Sequence, residues 1–428
     1  MKIEELYEKF LQSSSFTTDS RKAGQGTMFF ALKGEKFDGN TFVNEVLSRG
    51  ASYCVIDNPD YRIDDRCLFT DDTLKTMQQL AVHHRRQFDI PVIEITGTNG
   101  KTTTKELLYA VLSQKYRTHA TQGNFNNHIG VPLTLLAMPN DTEMAIVETG
   151  ANHPGEIDFL ANIAQPTFGL VTNVGKAHLE GFGSFEGVVN TKTELYRYIA
   201  KNGGTLFVNA DNDILMRYSE TQKRITYGKS ADVKGRLLDS NPYMKFSFET
   251  GNEIYTVQTR LLGDYNFDNA MAAVCAGLHF GVSPQQVKSA VENYVPTNNR
   301  SQFKQTERNR LYLDCYNANP SSMTAAVQNF GNQKAENKVV MLGGMKELGT
   351  GSMAEHQNIV KLVESFRFLK KVFVGEEFSF VKGMDAETLW FATSSEARDY
   401  FASDRLCDCT ILVKGSNSTK MWILEEVL

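Results

Sequence analysis

Short apolar runs separated by helical patterns occupy the first part of the chain. Two runs, at 28–32 and 52–56, have the length of buried strands, and the segment 73–87 places its apolar side chains on one helical stripe. A break that contains a proline follows at 88–91. The pattern therefore predicts a first α/β domain over residues 1–88, closed by a helix.

A regular alternation of strands and helices begins after this break. A helix is expected from about residue 101, and three short buried strands are expected at 92–95, 144–147 and 168–171. Strands that alternate with helices predict right-handed crossovers and a largely parallel sheet. Around residues 224 to 262 the pattern becomes a polar/apolar alternation, which predicts an antiparallel appendage on a second domain spanning 89–296.

A second polar break, at 296–299, precedes another series of strand-like runs with helical patterns between them. These runs lie at 311–313, 339–342, 372–374 and 411–413. They predict a third α/β domain, Rossmann-like, over residues 297–428. The fold class expected for the chain is thus α/β with three domains, of which the central one carries the parallel sheet.

Composition supports this organisation and excludes several functional classes. The length of 428 residues suits about three domains of roughly 150 residues each. A net charge of −5 provides no overall basic field for nucleic acid or an anionic membrane. The six cysteines form no paired CxxC motifs, which fits a reducing compartment. Without a signal peptide or a run of roughly 18 apolar residues, we expect a cytoplasmic protein with no membrane insertion and no nucleic-acid partner.

The sharpest local motif is a glycine-rich turn between a predicted strand and a predicted helix. Glycines allow backbone N–H groups to converge on phosphate oxygens, while a lysine neutralises phosphate charge and a threonine hydroxyl binds Mg²⁺. The strict Walker A spacing requires glycine at position 95, where Ile95 stands, so the motif is a shorter variant. The alternative is a glycine turn with a surface lysine. The predicted phosphate-binding loop comprises Gly97, Thr98, Asn99, Gly100, Lys101, Thr102 and Thr103.

Two further candidates follow the next strands, at the sheet edge where open α/β sheets bind ligands. Glu148 ends one strand and offers a hard oxygen ligand for Mg²⁺, although it would equally suit a helix cap. His178 follows another strand, and the alternative is a structural histidine because Mg²⁺ prefers oxygen. Lys192 is expected in the first turns of a helix, where the residues alone favour a solvated lysine.

Asn266 and Asn269 precede a predicted helix of small apolar residues. An amide both donates and accepts hydrogen bonds, which suits the edge of an adenine ring. The residues alone favour helix N-caps, since asparagine is a preferred N-cap residue.

Motifs along the whole chain resemble, in order, those of the Mur ligases. They are GTNGKTT at 97–103, the strand before Glu148, NVGKAH at 173–178, YNFDNAMAA at 265–273, Arg300 and VKGS at 413–416. Within the family, GNFNNHIG at 123–130 and DCYNANP at 314–320 resemble members that add D-alanyl-D-alanine. The segments TDSR at 18–21 and FALKG at 30–34 are similar to the UDP-binding domain of some members.

The resemblance implies an ATP-dependent ligase that joins D-alanyl-D-alanine to UDP-N-acetylmuramoyl-tripeptide through an acyl phosphate, in peptidoglycan precursor synthesis. Lys101, His178 and Lys192 would act in catalysis, with Lys192 carbamylated by CO₂. Two Mg²⁺ ions are expected, bound by Thr102, Glu148 and His178. The expected ATP contacts beyond the loop are Asn266, Asn269, Arg300 and Asp314. The expected contacts to the UDP-sugar-peptide are Ser20, Arg21, Asn126 and Asn127.

Two other functions stay open at this point. The first is a sister ligase that adds diaminopimelate or lysine, or a folate-type polyglutamate ligase. The segments GNFNNHIG at 123–130 and YNANP at 316–320 argue against both kinds of ligase, and the DNPR motif typical of diaminopimelate addition is missing from the C-terminal domain. The second is a non-enzymatic nucleotide switch. We also expect a monomer whose C-terminal domain closes on the site, because the expected ATP groups belong to two domains.

Overall fold

The computed structural model describes residues 1–296 and 300–428, and it contains three α/β domains. The N-terminal domain has a four-stranded, fully parallel sheet and a short separate hairpin. Its elements are α1 (Ile3–Gln12), β1 (Ser15–Thr17), β2 (Thr27–Phe30), β3 (Lys33–Gly34), β4 (Phe37–Asp38), α2 (Val43–Ser48), β5 (Tyr53–Ile56), β6 (Cys67–Phe69) and α3 (Thr73–Arg85). The sheet order is β1-β2-β5-β6, so the two predicted strands and the closing helix are confirmed.

The central domain is built on a nine-stranded sheet. Its first elements are β7 (Val92–Thr96), α4 (Lys101–Leu112), β8 (Thr118–Ala120), α5 (Gly130–Leu136), β9 (Met144–Glu148), α6 (Glu156–Ala164), β10 (Phe168–Val171), α7 (Leu179–Phe182), α8 (Phe185–Lys192) and α9 (Glu194–Lys201). They are followed by β11 (Thr205–Asn209), α10 (Asp213–Tyr218), β12 (Arg224–Gly228), β13 (Val233–Asp239), β14 (Tyr243–Thr250), β15 (Glu253–Leu262), α11 (Asn266–His279) and α12 (Pro284–Asn293).

The alternating segment 224–262 does not form a separate appendage. The sheet order is β15-β14-β13-β12-β11-β10-β7-β9-β8, and β12 and β13 pair in parallel with the strands before them. Only β14 and β15 bring antiparallel pairing, and they extend the same sheet. The prediction of antiparallel pairing is therefore confirmed for β14 and β15, whereas the prediction of an appendage is wrong.

The C-terminal domain has a six-stranded sheet in the order β16-β17-β21-β18-β19-β20. Its elements are β16 (Gln302–Gln305), β17 (Arg310–Asp314), α13 (Pro320–Asn332), β18 (Lys338–Gly343), α14 (Ser352–Glu364), β19 (Lys370–Val374), β20 (Thr388–Phe391), α15 (Ser394–Ser403) and β21 (Thr410–Lys414). Five strands run parallel and β16 is an antiparallel edge. Of the predicted break 296–299, residues 297–299 lie outside the described residues, and the two boundaries between the three domains stay predictions.

The N-terminal and central domains share one hydrophobic core. Side chains of the first domain, such as Phe10 and Met28, belong to the same buried cluster as Leu135, Val147 and Leu160 of the central domain. The C-terminal sheet instead packs against a hydrophobic core of its own on each face. Among the described residues, Leu262 is the only buried side chain of the central domain in these two cores. None of the described helices has the length and apolar character needed to span a bilayer.

Arg85, near the end of α3, is a buried polar link between the first two domains. Its guanidinium donates to the carbonyls of Phe88, Ala164 and Gln165 at 2.7, 3.2 and 3.1 Å. Truncation of the Arg85 side chain would leave three carbonyl oxygens at this junction without their hydrogen-bond donor.

We expect Arg85→Ala to lower the free energy of unfolding by roughly 2–4 kcal/mol, measured by urea denaturation. The neighbouring Arg86 is exposed, so Arg86→Ala is the matched control and should cost less than about 0.5 kcal/mol. Equal losses for both variants would contradict a linking role for Arg85.

Candidate active site

The turn between β7 and α4 admits no side chain at two positions. Gly97 and Gly100 have φ values of 140° and 80°, a region that favours glycine. A Cβ atom would lie 2.1 Å from Thr172 Oγ1 at the first position and 2.4 Å from Asn269 Oδ1 at the second. The turn therefore packs backbone against its neighbours and presents the N-terminus of α4, a favourable place for anions.

Lys101 folds back over this turn. Its Nζ donates to the carbonyls of Gly97 and Thr98 at 2.8 and 3.2 Å. Burial lowers the pKa of Lys101, although the negative charge of Glu148 opposes this effect. The predicted glycine-rich loop is thus present as a turn, with its lysine held at the helix N-terminus rather than exposed on the surface. We call it the phosphate-binding turn after its predicted role, and phosphate binding itself stays a prediction.

Glu148 is the last residue of β9 and is only 1 % exposed. Its carboxylate accepts hydrogen bonds from Thr102 Oγ1 at 2.9 Å and from Asn126 Nδ2 at 2.8 Å. Its backbone N–H donates to Thr121 Oγ1 at 2.9 Å, which fixes the end of the strand. Among its hydrogen bonds in the described residues there is none to a helix N-terminus, so the helix-cap alternative is wrong. Carboxylate and hydroxyl oxygens instead meet beside the phosphate-binding turn.

Lys192 differs from its sequence-based expectation in two ways. It is the last residue of α8 instead of lying in a first helical turn, and it is 2 % exposed rather than solvated. Its Nζ donates to the carbonyl of Ala151 at 3.3 Å and lies 5.4 Å from the ring centroid of Phe182. Burial, together with the charge of Lys101, lowers the pKa of Lys192 to about 7. A substantial fraction of the amine is therefore neutral near neutral pH.

His178 contacts the C-terminal domain. The residue precedes α7 in a left-handed conformation with φ of 49°, and its Nδ1 is hydrogen-bonded to the carboxylate of Glu347. Burial lowers the pKa of His178, while the charge of Glu347 opposes the shift. This contact joins a histidine of the central domain to a carboxylate of the C-terminal domain.

Asn266 and Asn269 lie inside the first turn of α11, so the N-cap interpretation is wrong. Asn266 Nδ2 donates to the carbonyl of Leu262 at 2.7 Å, and Asn269 Nδ2 donates to Asn266 Oδ1 at 2.8 Å. Thr104 Oγ1 of α4 donates to Asn269 Oδ1 at 3.0 Å. These bonds join α11 to α4 directly behind the phosphate-binding turn.

Two cavities meet at this turn. The larger, of about 800 Å³, lies on the side of Glu148 and His178, and the smaller, of about 320 Å³, lies on the side of α11. Both cavities are lined by Asn99, Gly100, Arg300, Tyr316 and Asn317. The C-terminal domain therefore contributes to both.

The structure brings most of the predicted site residues to these two cavities. The larger is lined by Thr98, Lys101, Thr102, Asn126, Asn127, Glu148 and His178, and the smaller by Thr103, Asn266, Asn269 and Asp314. Asn127 also accepts from the N–H groups of Ile129 and Gly130, at the start of α5.

Ser20 and Arg21 line neither cavity. The Arg21 side chain is 87 % exposed and forms an ion pair with Asp19 at 2.8 Å, while the carbonyl of Ser20 accepts from Arg49 at 3.0 Å. The contact predicted for these two residues is with the UDP part of the substrate, and it stays a prediction.

Three family models match successive parts of the chain. "Mur ligase family, catalytic domain" matches residues 14–88, "Mur ligase middle domain" matches 95–277, and "Mur ligase, glutamate ligase domain" matches 299–416. The chain belongs to the Mur ligase family.

Curated relatives support the same assignment. The UDP-N-acetylmuramoyl-tripeptide–D-alanyl-D-alanine ligase of Escherichia coli is 33 % identical over 436 residues, which cover 99 % of this Mur ligase and 95 % of the relative. The ligase of the same name from Bacillus subtilis is 37 % identical over 337 residues, with coverage of 78 % and 73 %.

Solved structures also match over nearly the whole chain. A crystal structure of MurF from Acinetobacter baumannii superposes with a TM-score of 0.89 at 31 % identity, covering 99 % of this chain and 98 % of that one. MurF ligase from Thermotoga maritima in complex with ADP gives a TM-score of 0.86 at 25 % identity, with coverage of 98 % and 97 %. The expectations of family and fold class are therefore confirmed.

Contacts between the central and C-terminal domains were not predicted from sequence, and we call them the interdomain seam. In this Mur ligase the seam pairs Asn99 with Asn319, Lys176 with Ser321 and Glu355, and His178 with Glu347. The segments GGMKELG at 343–349 and NVGKAH at 173–178 contain several of these residues, but no local pattern shows that the two segments meet. His356 has a supporting role, since its Nε2 accepts from the N–H of Met345 at 3.0 Å beside Glu347.

Gly175 lies at a close contact of the seam. A Cβ atom there would lie 2.8 Å from Ser321 Oγ and 3.2 Å from its Cβ. We expect Gly175→Val to separate the two domains of this Mur ligase and to increase its radius of gyration in small-angle X-ray scattering.

Adding Ser321→Gly to Gly175→Val should bring the radius of gyration part of the way back, because it removes the serine side chain with which the valine would collide. Gly24→Val is the matched control, because nothing lies within 4 Å of a Cβ built there. An unchanged radius of gyration for Gly175→Val would contradict the seam as a close domain contact.

Proposed function

We infer that this Mur ligase adds D-alanyl-D-alanine to UDP-N-acetylmuramoyl-tripeptide, with ATP, in peptidoglycan precursor synthesis. The observation that carries this function is the match over 99 % of the chain to an E. coli ligase of that name. The phosphate-binding turn between two adjoining cavities agrees with it. The diaminopimelate-adding ligase is 18 % identical with a TM-score of 0.55, so that likeness concerns the fold alone.

The chemistry begins with the terminal carboxylate of the tripeptide. One of its oxygens attacks the γ-phosphorus of ATP, the bond to the β–γ bridging oxygen breaks, and ADP leaves. The amine of D-alanyl-D-alanine then attacks the acyl carbon, loses a proton and displaces phosphate. In the proposed arrangement Lys101 neutralises phosphate charge, and the N–H groups at the start of α4 orient the phosphates.

We propose that the larger cavity holds the end of the UDP-sugar-peptide and the smaller one holds the nucleotide. Asn126 and Asn127 would face the sugar-peptide, whereas Asn266, Asn269, Arg300 and Asp314 would surround the adenosine and phosphate groups. Ser20 and Arg21 would contact UDP in the N-terminal domain, away from both cavities. Closure of the C-terminal domain would exclude water from the acyl phosphate. A monomeric, cytoplasmic enzyme is part of the same proposal.

The donor set beside the turn fits Mg²⁺. The Glu148 carboxylate and the Thr102 hydroxyl are hard oxygen ligands in contact with each other, and Mg²⁺ is commonly bound by one or two carboxylates together with substrate phosphates. Thr102 and Glu148 would hold one ion and His178 a second. Such ions would reduce the repulsion between the carboxylate and the phosphates.

Lys192 has the properties required for carbamylation. A lysine amine attacks CO₂ only in its neutral form, and the pKa of about 7 provides that form. Lys192 itself lines neither cavity, but the product would be a carboxylate-like group next to the carbonyl of Ala151, a residue that lines the larger cavity. We propose that this group helps to place a Mg²⁺ ion.

The activity is tested by measuring phosphate release from ATP in the presence of UDP-N-acetylmuramoyl-tripeptide. We expect release to depend on D-alanyl-D-alanine and to stay at background with single amino acids. Release with a diamino acid alone would identify a sister ligase instead. Absence of any amine-dependent release would leave only a nucleotide switch.

For Lys192→Ala we expect a loss of activity of about 100-fold or more, partly rescued by short carboxylic acids such as acetate. In the unaltered enzyme, the carbamate signal in ¹³C NMR with labelled bicarbonate should grow between about pH 6 and pH 8, since the amine with its pKa of about 7 loses its proton there. Lys192→Arg is the control and should give neither signal nor rescue. Full activity of Lys192→Ala would contradict the proposed role.

A further inference from the structure

Arg300 and Tyr316 form a stacked pair at the junction of the two cavities. The guanidinium carbon of Arg300 lies 3.6 Å from the ring centroid of Tyr316, a close cation–π contact. Both residues belong to the lining of both cavities. The pair therefore stands between the space on the Glu148 side and the space on the α11 side.

The stacking leaves the edge of the guanidinium open. Within residues 1–296 and 300–428, the Arg300 side chain makes no hydrogen bond and no ion pair, although Asp314 lines the same smaller cavity. Asp314 is instead paired with Lys414. Because a cation–π contact uses the face of the guanidinium, its five in-plane N–H donors stay available for an anion.

Arg300 and Lys101 line the same larger cavity, and Arg300 borders the phosphate-binding turn through both cavities. Two cations thus face the junction, one held by the turn and the other held by an aromatic ring. The positive charge at this junction is therefore preorganised: it is in place before an anion binds.

We propose that Tyr316 is a positioning residue that fixes Arg300 by stacking, so that the free N–H donors meet a phosphate group of the nucleotide bound at the turn 97–100. The inference rests on the proposed function, which places ATP phosphates there. Tyr316 follows β17 of the C-terminal domain by two residues, so docking of that domain brings the ring and Arg300 to the turn together.

The ring face, and not the hydroxyl, carries this role. The Tyr316 hydroxyl forms no hydrogen bond to any described part of the chain, whereas the ring contacts the guanidinium. An aromatic side chain without the hydroxyl should therefore replace tyrosine, and an aliphatic one should not.

The test compares Tyr316→Phe with Tyr316→Leu in steady-state kinetics and in calorimetric binding of ADP and a non-hydrolysable ATP analogue. We expect Tyr316→Phe to stay within about 2-fold of the unaltered enzyme, and Tyr316→Leu to lose roughly 10- to 30-fold in kcat/KM for ATP. In an Arg300→Ala background, Tyr316→Leu should cost less than about 2-fold more, because the residue acts through Arg300.

Tyr400→Leu is the matched control. This half-buried tyrosine of α15 lies beside Lys370, whose Nζ is 6.0 Å from its ring centroid, and it lines neither cavity. Its substitution should leave kcat/KM unchanged. If Tyr316→Leu does not fold, Tyr316→Met provides a flexible, non-aromatic replacement with the same expected loss.

Two results would overturn the proposal. One is a loss in Tyr316→Phe as large as that in Tyr316→Leu, and the other is full additivity of the Tyr316 and Arg300 substitutions. Failure of the proposed function is recognised separately, since the unaltered enzyme would then release no phosphate with D-alanyl-D-alanine. The positioning role would then still be decided by calorimetry on the Tyr316 and Arg300 variants. Non-additive losses of affinity for the ATP analogue would support the role, and additive losses would contradict it.

Discussion

The site depends on a turn whose main chain packs so closely against neighbouring residues that two of its positions have no room for a side chain. Gly97 lies against Thr172 and Gly100 against Asn269, too close for a Cβ atom at either position. This contact brings the carboxyl ends of β7 and β10 and the first turn of α11 together at the N-terminus of α4. Both cavities are lined by residues of the turn, so their position follows from this one close approach.

Basic side chains are concentrated around the phosphate-binding turn, in a chain whose net charge is −5. Lys101, Lys192 and Arg300 belong to this region, and Glu148 provides a buried negative charge among them. Burial lowers the pKa of both lysines. Repulsion by Arg300 adds to this effect at Lys101, and repulsion by Lys101 adds to it at Lys192. A polyanionic substrate would relieve that repulsion, which is a physical reason for the site to favour its occupied state.

The two domain junctions differ in their physical character. The N-terminal and central domains share a buried hydrophobic cluster and the guanidinium of Arg85, so their separation would expose apolar surface. The interdomain seam on the other side consists largely of hydrogen bonds and ion pairs, such as Lys176 with Glu355. Water competes well for polar contacts, so this junction opens at lower cost. We therefore expect the N-terminal and central domains to move as one rigid unit, and the C-terminal domain to move relative to them.

The sequence alone indicated the main strands of the three domains and the glycine-rich turn between β7 and α4, because periodicity and glycine spacing are local properties. Motif order also determined the family. Only the tertiary structure decided that Lys192 is buried at a helix end, that Asn266 and Asn269 join α11 to α4 instead of capping a helix, and that Ser20 and Arg21 lie outside both cavities. The pairing of Tyr316 with Arg300 and of His178 with Glu347 was likewise decided there. Burial and charge environment depend on which distant segments approach each other, and no local pattern records that approach.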